Sequence, residues 1–121
     1  MIELRDYQRK ALDELYEWFS YNEGNPCVEA PTGAGKSVLL AKFCEENIQA
    51  NPNIRIVIVT HVKELVQQDH DAVLRVWPEA PIGIWSAGIG RKEIEQITVC
   101  GIQSIYKHAD LLGKVDVVLV D

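Results

Sequence analysis

The sequence predicts an α/β domain with a mostly parallel sheet and flanking helices, and two observations lead to this prediction. Short apolar segments rich in β-branched residues alternate along the chain with longer segments that have helical apolar spacing. A glycine-rich loop joins the first short apolar segment to an amphipathic segment, as a strand-to-helix connection around a phosphate would require. No repeat, low-complexity run or linker divides the chain, so we expect one domain over residues 1–121.

Four segments have the apolar spacing of helices. Asp6–Phe19 begins with Asp6 as its expected cap, and Lys36–Gln49 follows the glycine-rich loop. Val62–Val76 is the third helix, and a fourth runs from Ile102 to about Leu112. The positions expected to face inward in the first three are Leu12, Leu15, Trp18, Phe19, Leu39, Leu40, Phe43, Ile48, Leu65, Val66, Val73 and Val76.

The segments between these helices are predicted strands. They are Cys27–Glu29, Ile54–Thr60, Ile82–Trp85, Ile97–Cys100 and Val115–Val120. The second is a run of isoleucine and valine, which indicates a strand buried on both faces. Because ligands of such sheets bind beyond the carboxyl ends of the strands, we expect the loops after the strands to share one functional rim.

Composition excludes some classes of protein and leaves others open. The net charge of −6 argues against a generally basic, nucleic-acid-coating protein, although it does not exclude a local phosphate-binding groove. No apolar run is long enough to span a bilayer and no secretory segment is visible, so we expect a cytoplasmic protein without membrane contact. Cys27, Cys44 and Cys100 are widely spaced and are interpreted as free structural thiols.

The glycine-rich segment Ala30–Ser37 has the pattern of a Walker A phosphate loop, with Ala30 where the pattern has its first glycine. Gly33 and Gly35 let backbone N–H groups turn toward a phosphate without interference from a Cβ atom. Lys36 supplies a cation for the β and γ phosphates, and the Ser37 hydroxyl suits Mg²⁺. These residues predict a site for a nucleoside triphosphate and its metal ion.

Asp121 follows the apolar strand at the end of the sequence, as in a Walker B segment. Such a carboxylate holds Mg²⁺, usually through water, beside the phosphate-loop serine. Alone, an aspartate after a strand is more commonly a turn or helix cap. Together with Ala30–Ser37, it is interpreted as the second half of a magnesium nucleotide site.

Five segments together resemble the motifs of superfamily 2 (DEAD/DEAH-box-like) helicases and translocases. Leu4–Gln8 is similar to their Q-motif, and Ala30–Ser37 to motif I. Val59–Gln67 is similar to motif Ia, Thr98–Ser104 to motif Ic, and Val117–Asp121 to the start of motif II. The resemblance implies the N-terminal part of a first RecA-like motor domain, a P-loop NTPase fold that is incomplete at its C-terminal end.

The resemblance implies ATP as the nucleotide and Lys36 and Asp121 as the catalytic residues. The Gln8 amide can both donate to and accept from an adenine edge, and the Arg5 guanidinium can lie on the base. Ser37 and Asp121 are the expected Mg²⁺ ligands. The implied cofactor-binding residues are Arg5, Gln8, Pro31, Thr32, Gly33, Ala34, Gly35, Lys36 and Ser37.

The same resemblance implies a nucleic-acid-binding surface, with DNA favoured over RNA. Backbone N–H groups, hydroxyls and a lysine at the rim would contact phosphates of a bound strand. His61 and Val62 depart from the family's usual Pro-Thr pair, and Trp85 is interpreted as a core residue. The expected contacts are Thr60, His61, Lys63, Gln103 and Ser104.

Two other interpretations remain open. One is another class of P-loop NTPase, such as a kinase or a transport ATPase. The other is a non-catalytic module that binds a nucleotide or a protein partner. If the motor interpretation is correct, its catalytic glutamate and a second RecA-like domain lie outside these residues. We then expect ATP binding by this chain without steady turnover.

Overall fold

A computed structural model describes residues 4–22, 24, 34–105 and 109–121. The predicted strand Cys27–Glu29 and the loop residues 30–33 lie outside these ranges. In chain order the elements are α1 (Asp6–Tyr21), α2 (Ala34–Ala50), β1 (Ile56–Thr60), α3 (Lys63–Val76), β2 (Ile82–Ser86), β3 (Arg91–Lys92), β4 (Ile97–Gly101), α4 (Ile102–Ile105), a 3₁₀ helix (Ala109–Leu112) and β5 (Val117–Val120).

The sheet of the described chain has five strands in the order β3-β2-β4-β1-β5. β1 pairs in parallel with both β4 and β5, and β2 pairs in parallel with β4. The short β3 is antiparallel to β2, with Trp85 opposite Lys92. This arrangement confirms the predicted α/β fold with a mostly parallel sheet.

The centre of the sheet is buried on both faces, as the run of β-branched residues predicted. Ile56 and Ile58 of β1 are completely inaccessible to solvent, as are Ile97 and Val99 of β4. On one face these side chains pack with Cys44 of α2 and Val66 of α3. Burial of large aliphatic side chains is the main stabilising contribution in such a layer, at about 1.5–3 kcal/mol for each.

The first two helices are joined by polar contacts as well as by apolar packing. The Tyr16 hydroxyl of α1 donates to Glu46 Oε1 of α2 at 3.0 Å. Arg9 Nη2 donates to the same oxygen at 3.2 Å, and Arg9 Nη1 donates to Glu46 Oε2. The rings of Tyr16 and Phe43 stack with centroids 6.1 Å apart. Burial and the Glu46 hydrogen bond both raise the pKa of Tyr16, which keeps the phenol neutral.

Four details of the helices and strands differ from the sequence prediction. Asp6 is the first residue of α1 rather than its cap, and the residue at the cap position is Arg5. Phe19 was expected to face inward but is 48% exposed. The predicted helix from Ile102 to Leu112 consists of α4 and the separate 3₁₀ helix, with residues 106–108 outside the described ranges. The two-residue β3 is too short to produce an alternating pattern in the sequence.

Two of the cysteines lie within the described residues. Cys44 and Cys100 are buried free thiols, and burial raises their pKa values to about 12 and about 11. Such thiols are poorly reactive because the thiolate is the nucleophile. None of the described helices is long and apolar enough to cross a membrane.

Candidate nucleotide and nucleic-acid sites

The carboxyl ends of the parallel strands carry two groups of polar residues. One is the pair formed by Lys36, near the start of α2, and Asp121, directly after β5. The other surrounds a groove that we call the rim groove. It is lined by His61, Lys63, Ser86, Gly88, Gly101, Ile102, Gln103 and Ser104.

The Lys36–Asp121 pair brings the expected Walker A lysine and Walker B aspartate together. The Asp121 backbone N–H donates to Val59 O at 2.9 Å, which fixes the residue at the end of β5 beside β1. Its carboxylate forms an ion pair with the Lys36 ammonium. The Asp121 side chain is 2% exposed, whereas that of Lys36 is 46% exposed. The negative charge of the pair is therefore buried, whereas its positive charge is open to solvent.

The Asp121 carboxylate has the properties of a metal ligand. Its Oδ1 atom is buried, and the Lys36 ammonium is the charged group in contact with it in the described part of the chain. If Lys36 turned to another anion, this oxygen would have lone pairs for a hard cation or its bound water. Among the described residues no three His, Cys, Asp or Glu side chains form a metal site. This donor set fits Mg²⁺, which is commonly held by one or two carboxylates together with phosphates and water.

Asp69 is a second buried carboxylate near Lys36, and the sequence prediction missed it. The residue is 4% exposed, and its Oδ2 atom has no hydrogen-bond partner in the described part of the chain. Desolvation raises the pKa of Asp69, and the positive charge of Lys36 opposes this shift. The helical spacing of the sequence could have predicted its burial, because Asp69 lies between Val66 and Val73 on the buried side of α3.

Gln8 is held in place by the backbone at the start of α1. Its side chain is buried, with the residue 3% exposed, and its Oε1 atom accepts the Arg5 backbone N–H at 2.9 Å. This contact caps the helix and fixes the direction in which the amide points. Arg5 itself is exposed.

The phosphate loop is only partly described. Pro31, Thr32 and Gly33 lie outside the described residues. Ala34, Gly35 and Lys36 form the first residues of α2, which begins earlier than the predicted helix. Ser37 is in the same helical turn, and its side chain is outside the description. Lys36 is thus held at a helix N-terminus, where the helix dipole favours an anion.

The rim groove has a volume of about 140 Å³ and contains four of the five residues expected to contact nucleic acid. These are His61, Lys63, Gln103 and Ser104. The fifth, Thr60, is 1% exposed, and its hydroxyl accepts the Val62 N–H at 3.3 Å. Thr60 therefore shapes the turn between β1 and α3, and its side chain does not line the groove.

Ser86 and Gly88 were not predicted as groove residues. Ser86 is the last residue of β2 and Gly88 lies in the turn that follows, which is held against α4 because the Ala87 N–H donates to Ser104 Oγ at 3.0 Å. Trp85, just before this turn, is 9% exposed and packs with Val57, Cys100 and Leu112, which agrees with its interpretation as a core residue. A larger cavity of about 410 Å³, which includes Asn53, Arg55 and Gln96, lies at the amino ends of the strands and away from both groups.

Comparison with known proteins identifies a family and solved structures of similar fold. The model of the family described as type III restriction enzyme, res subunit, matches residues 1–121. No curated protein matches the chain. A solved structure of a nuclease-deletion mutant of the Type ISP restriction-modification enzyme LlaGI, in complex with a DNA substrate mimic, is similar with a TM-score of 0.71 and 18% identity. The match covers 99% of this chain and 15% of that chain, and at this identity it shows a shared fold.

The family match and the shared fold agree with the motifs in the sequence. The described sheet and helices match the RecA-like helicase fold, and the resemblance to superfamily 2 motor domains is confirmed. The chain belongs to the family of the type III restriction enzyme res subunit.

Proposed function

We propose that this chain is the ATP-binding part of an ATP-dependent helicase or translocase that acts on nucleic acid, with DNA favoured over RNA. The contact between Lys36 and Asp121 carries this proposal. It brings a phosphate-binding cation and a buried metal-binding carboxylate to one end of a parallel sheet. The motif match and the family together favour ATP hydrolysis in the whole protein over another class of P-loop NTPase.

The residues of the pair exchange partners when ATP binds. Lys36 is the more exposed member, so its ammonium turns from Asp121 to the β and γ phosphates. The Asp121 carboxylate would hold Mg²⁺ or its bound water, with Ser37 as the expected second ligand. Bound Mg²⁺ neutralises charge on the phosphate oxygens. Gln8 reads the adenine edge, and Arg5 lies against the base.

The rim groove is the proposed contact with the nucleic-acid backbone. Lys63 supplies a cation, and Gln103 and Ser104 supply polar groups at the start of α4. A local groove of this kind is compatible with the net charge of −6 because that number describes the whole chain. DNA is favoured by the form of the sequence motifs, and the fold relative is a DNA-bound restriction-modification enzyme.

The nucleotide proposal is tested by measuring the affinity of a fluorescent ATP analogue with Mg²⁺ present. We expect ATP to compete better than GTP, and Lys36→Ala to weaken binding by about 100-fold because its charged contacts with two phosphates are lost. Lys10→Ala is the matched control, since Lys10 is 77% exposed on α1 and pairs weakly with Glu14 at 4.0 Å. Equal affinities of the wild type and Lys36→Ala would contradict the proposal.

Turnover is tested separately by phosphate release with and without single-stranded DNA. The chain spans 15% of the length of the solved structure that it matches. We propose that a second RecA-like domain and the water-activating glutamate complete the cytoplasmic motor, so that these residues bind ATP without steady hydrolysis. DNA-stimulated phosphate release by this polypeptide would show that the missing groups are not needed.

A further inference from the structure

Gly88 lies against the side chain of Lys63. A Cβ atom placed on Gly88 would be 3.1 Å from Lys63 Cδ, 3.4 Å from Cε and 3.6 Å from Cγ. An added Cβ would therefore meet three successive carbons of the lysine side chain, and the first of these distances is tighter than ordinary van der Waals contact. The aliphatic part of Lys63 fills the space that a side chain at position 88 would need.

The backbone conformation at position 88 does not require a glycine. The described glycines with a positive φ are Gly24, Gly90 and Gly113, and Gly88 is not among them. An L-residue would therefore be tolerated at position 88 on conformational grounds. The structural feature that a side chain at position 88 would meet is Lys63, which would have to shift to make room for it.

The turn that carries Gly88 is fixed to its surroundings. The Gly90 N–H donates to Ser86 O at 3.0 Å and to Ala87 O at 3.2 Å. The Ala87 N–H donates to Ser104 Oγ at 3.0 Å, which ties the turn to α4. Gly88 is thus part of a firmly held surface, whereas Lys63 is an exposed side chain with no ion-pair partner in the described part of the chain.

We propose that Gly88 is a positioning residue for Lys63, and this inference rests on the proposed binding of nucleic-acid phosphates in the rim groove. Because Gly88 has no side chain, the aliphatic part of Lys63 can lie along the turn. This contact keeps the Lys63 ammonium at the groove, so the lysine side chain loses fewer conformations when a phosphate binds. A side chain at position 88 displaces the stem and moves the charge away from the bound phosphate.

Ser104 completes the arrangement around the same phosphate. Its oxygen accepts the Ala87 N–H, so its own O–H remains available to donate. The turn therefore orients two groups of the groove, the Lys63 ammonium through Gly88 and the Ser104 hydroxyl through Ala87. A strand phosphate between them receives one charged and one neutral hydrogen bond.

The test is the affinity of the full chain for a labelled single-stranded DNA, measured by fluorescence anisotropy over a range of salt concentrations. We expect Gly88→Val to weaken binding by about 3-fold to 10-fold and to reduce the salt slope by about 0.7, as for the loss of one phosphate contact on a single strand. Gly88→Ala should show a smaller effect of the same sign. Asn53→Val, in an exposed turn at the opposite end of the sheet, is the matched control and should bind as the wild type does.

A double-mutant cycle separates positioning from a general structural effect. In a Lys63→Ala background, Gly88→Val should cause no further loss, because the side chain that it displaces is absent. Melting temperatures of all variants show whether each one folds, and Gly88→Ala serves if the valine variant does not. An undiminished loss from Gly88→Val in the Lys63→Ala background would overturn the proposal.

The cycle also distinguishes this inference from the proposed function. If Lys63→Ala weakens DNA binding and neither Gly88 variant does, the positioning role is wrong and the groove remains a DNA contact. If Lys63→Ala leaves both affinity and salt slope unchanged, the groove is not a phosphate contact, and the role of Gly88 fails with it.

Discussion

Lys36 and Lys63 occupy equivalent places in neighbouring helices and have opposite surroundings. Each lies near the start of its helix, Lys36 in α2 and Lys63 in α3, at the carboxyl end of the sheet. Lys36 contacts the buried carboxylate of Asp121, and its positive charge also acts on the buried carboxylate of Asp69. Lys63 lies against the bare turn at Gly88 and has no ion-pair partner among the residues described.

The difference indicates two kinds of anion binding. A ligand of Lys36 must replace a carboxylate that is already in contact, so it needs several negative charges and a defined geometry. A ligand of Lys63 replaces only water and ions, so one phosphate is sufficient and the contact is screened by salt. A site of the first kind suits a magnesium-bound triphosphate, and one of the second kind suits a strand along which a motor moves.

Among the substitutions at Asp121, Lys63 and Asp69, the one at Asp121 should have the largest effect. Asp121→Asn should weaken binding of an ATP analogue by at least about 10-fold when Mg²⁺ is present, since a charged metal contact is lost. With EDTA in place of Mg²⁺ the variant should lose no affinity relative to the wild type, because no metal ion then links residue 121 to the phosphates and Lys36 of the variant has no carboxylate to leave. Titrations in both buffers check this, and equal losses in both would mean that Asp121 does not act through a metal ion.

Removing Lys63 should have a moderate effect that depends on salt. Lys63→Ala should weaken binding of single-stranded DNA by about 3-fold to 10-fold near physiological salt, with a smaller difference at high salt. Nucleotide affinity should not change. Lys114→Ala is the control, because Lys114 is 89% exposed and lies before β5. A similar loss in both variants would indicate non-specific attraction in place of a defined groove contact.

The smallest effect should come from Asp69 and should be stabilising. Its pKa is raised in the folded state, so the ionised carboxylate opposes folding, and this cost grows as pH rises from the ordinary value of 3.8 through the folded pKa. Asp69→Asn should raise the melting temperature at pH 7 by about 3 °C, with the gain disappearing in acid. Thermal unfolding over a pH series measures both features.

Asp71 provides the matched control for this substitution. Hydrogen bonding to His70 is the main cause that lowers the pKa of Asp71, so its ionised form stabilises the fold above its unfolded pKa and this contribution is lost in acid. Asp71→Asn should therefore lower the melting temperature at pH 7. A change of the same sign in both variants would show that the two carboxylates are not in opposite environments.

Local pattern predicted most of the sheet and the main helices. The isoleucine and valine run of β1 and the apolar stripe of α3 each reflect a single element, and both are confirmed by burial. The rim also followed from topology, since parallel strands end at one edge. The Lys36–Asp121 contact agrees with the Walker pattern, and the roles given to these residues remain predictions.

Contacts between distant segments could not be read from the sequence. The position of Gly88 against Lys63 and the bond from Ala87 to Ser104 each join the turn after β2 to a helix, and the two partners share no periodicity. Thr60 has the expected place in the chain, but it is buried, with 1% of the residue exposed, so its side chain does not reach the groove. Whether a polar group is free for a ligand depends on its neighbours in space, and a motif does not contain that information.

The Glu46 contacts between α1 and α2 have a consequence for how the domain opens. Glu46 receives hydrogen bonds from both Arg9 and Tyr16, so α1 cannot detach without leaving a carboxylate and a phenol unpaired. The helix that carries Gln8 and the helix that carries Lys36 should therefore exchange their amide hydrogens as one cooperative unit. If a nucleotide binds as proposed, its contact with either Gln8 or Lys36 would then slow amide exchange along both helices.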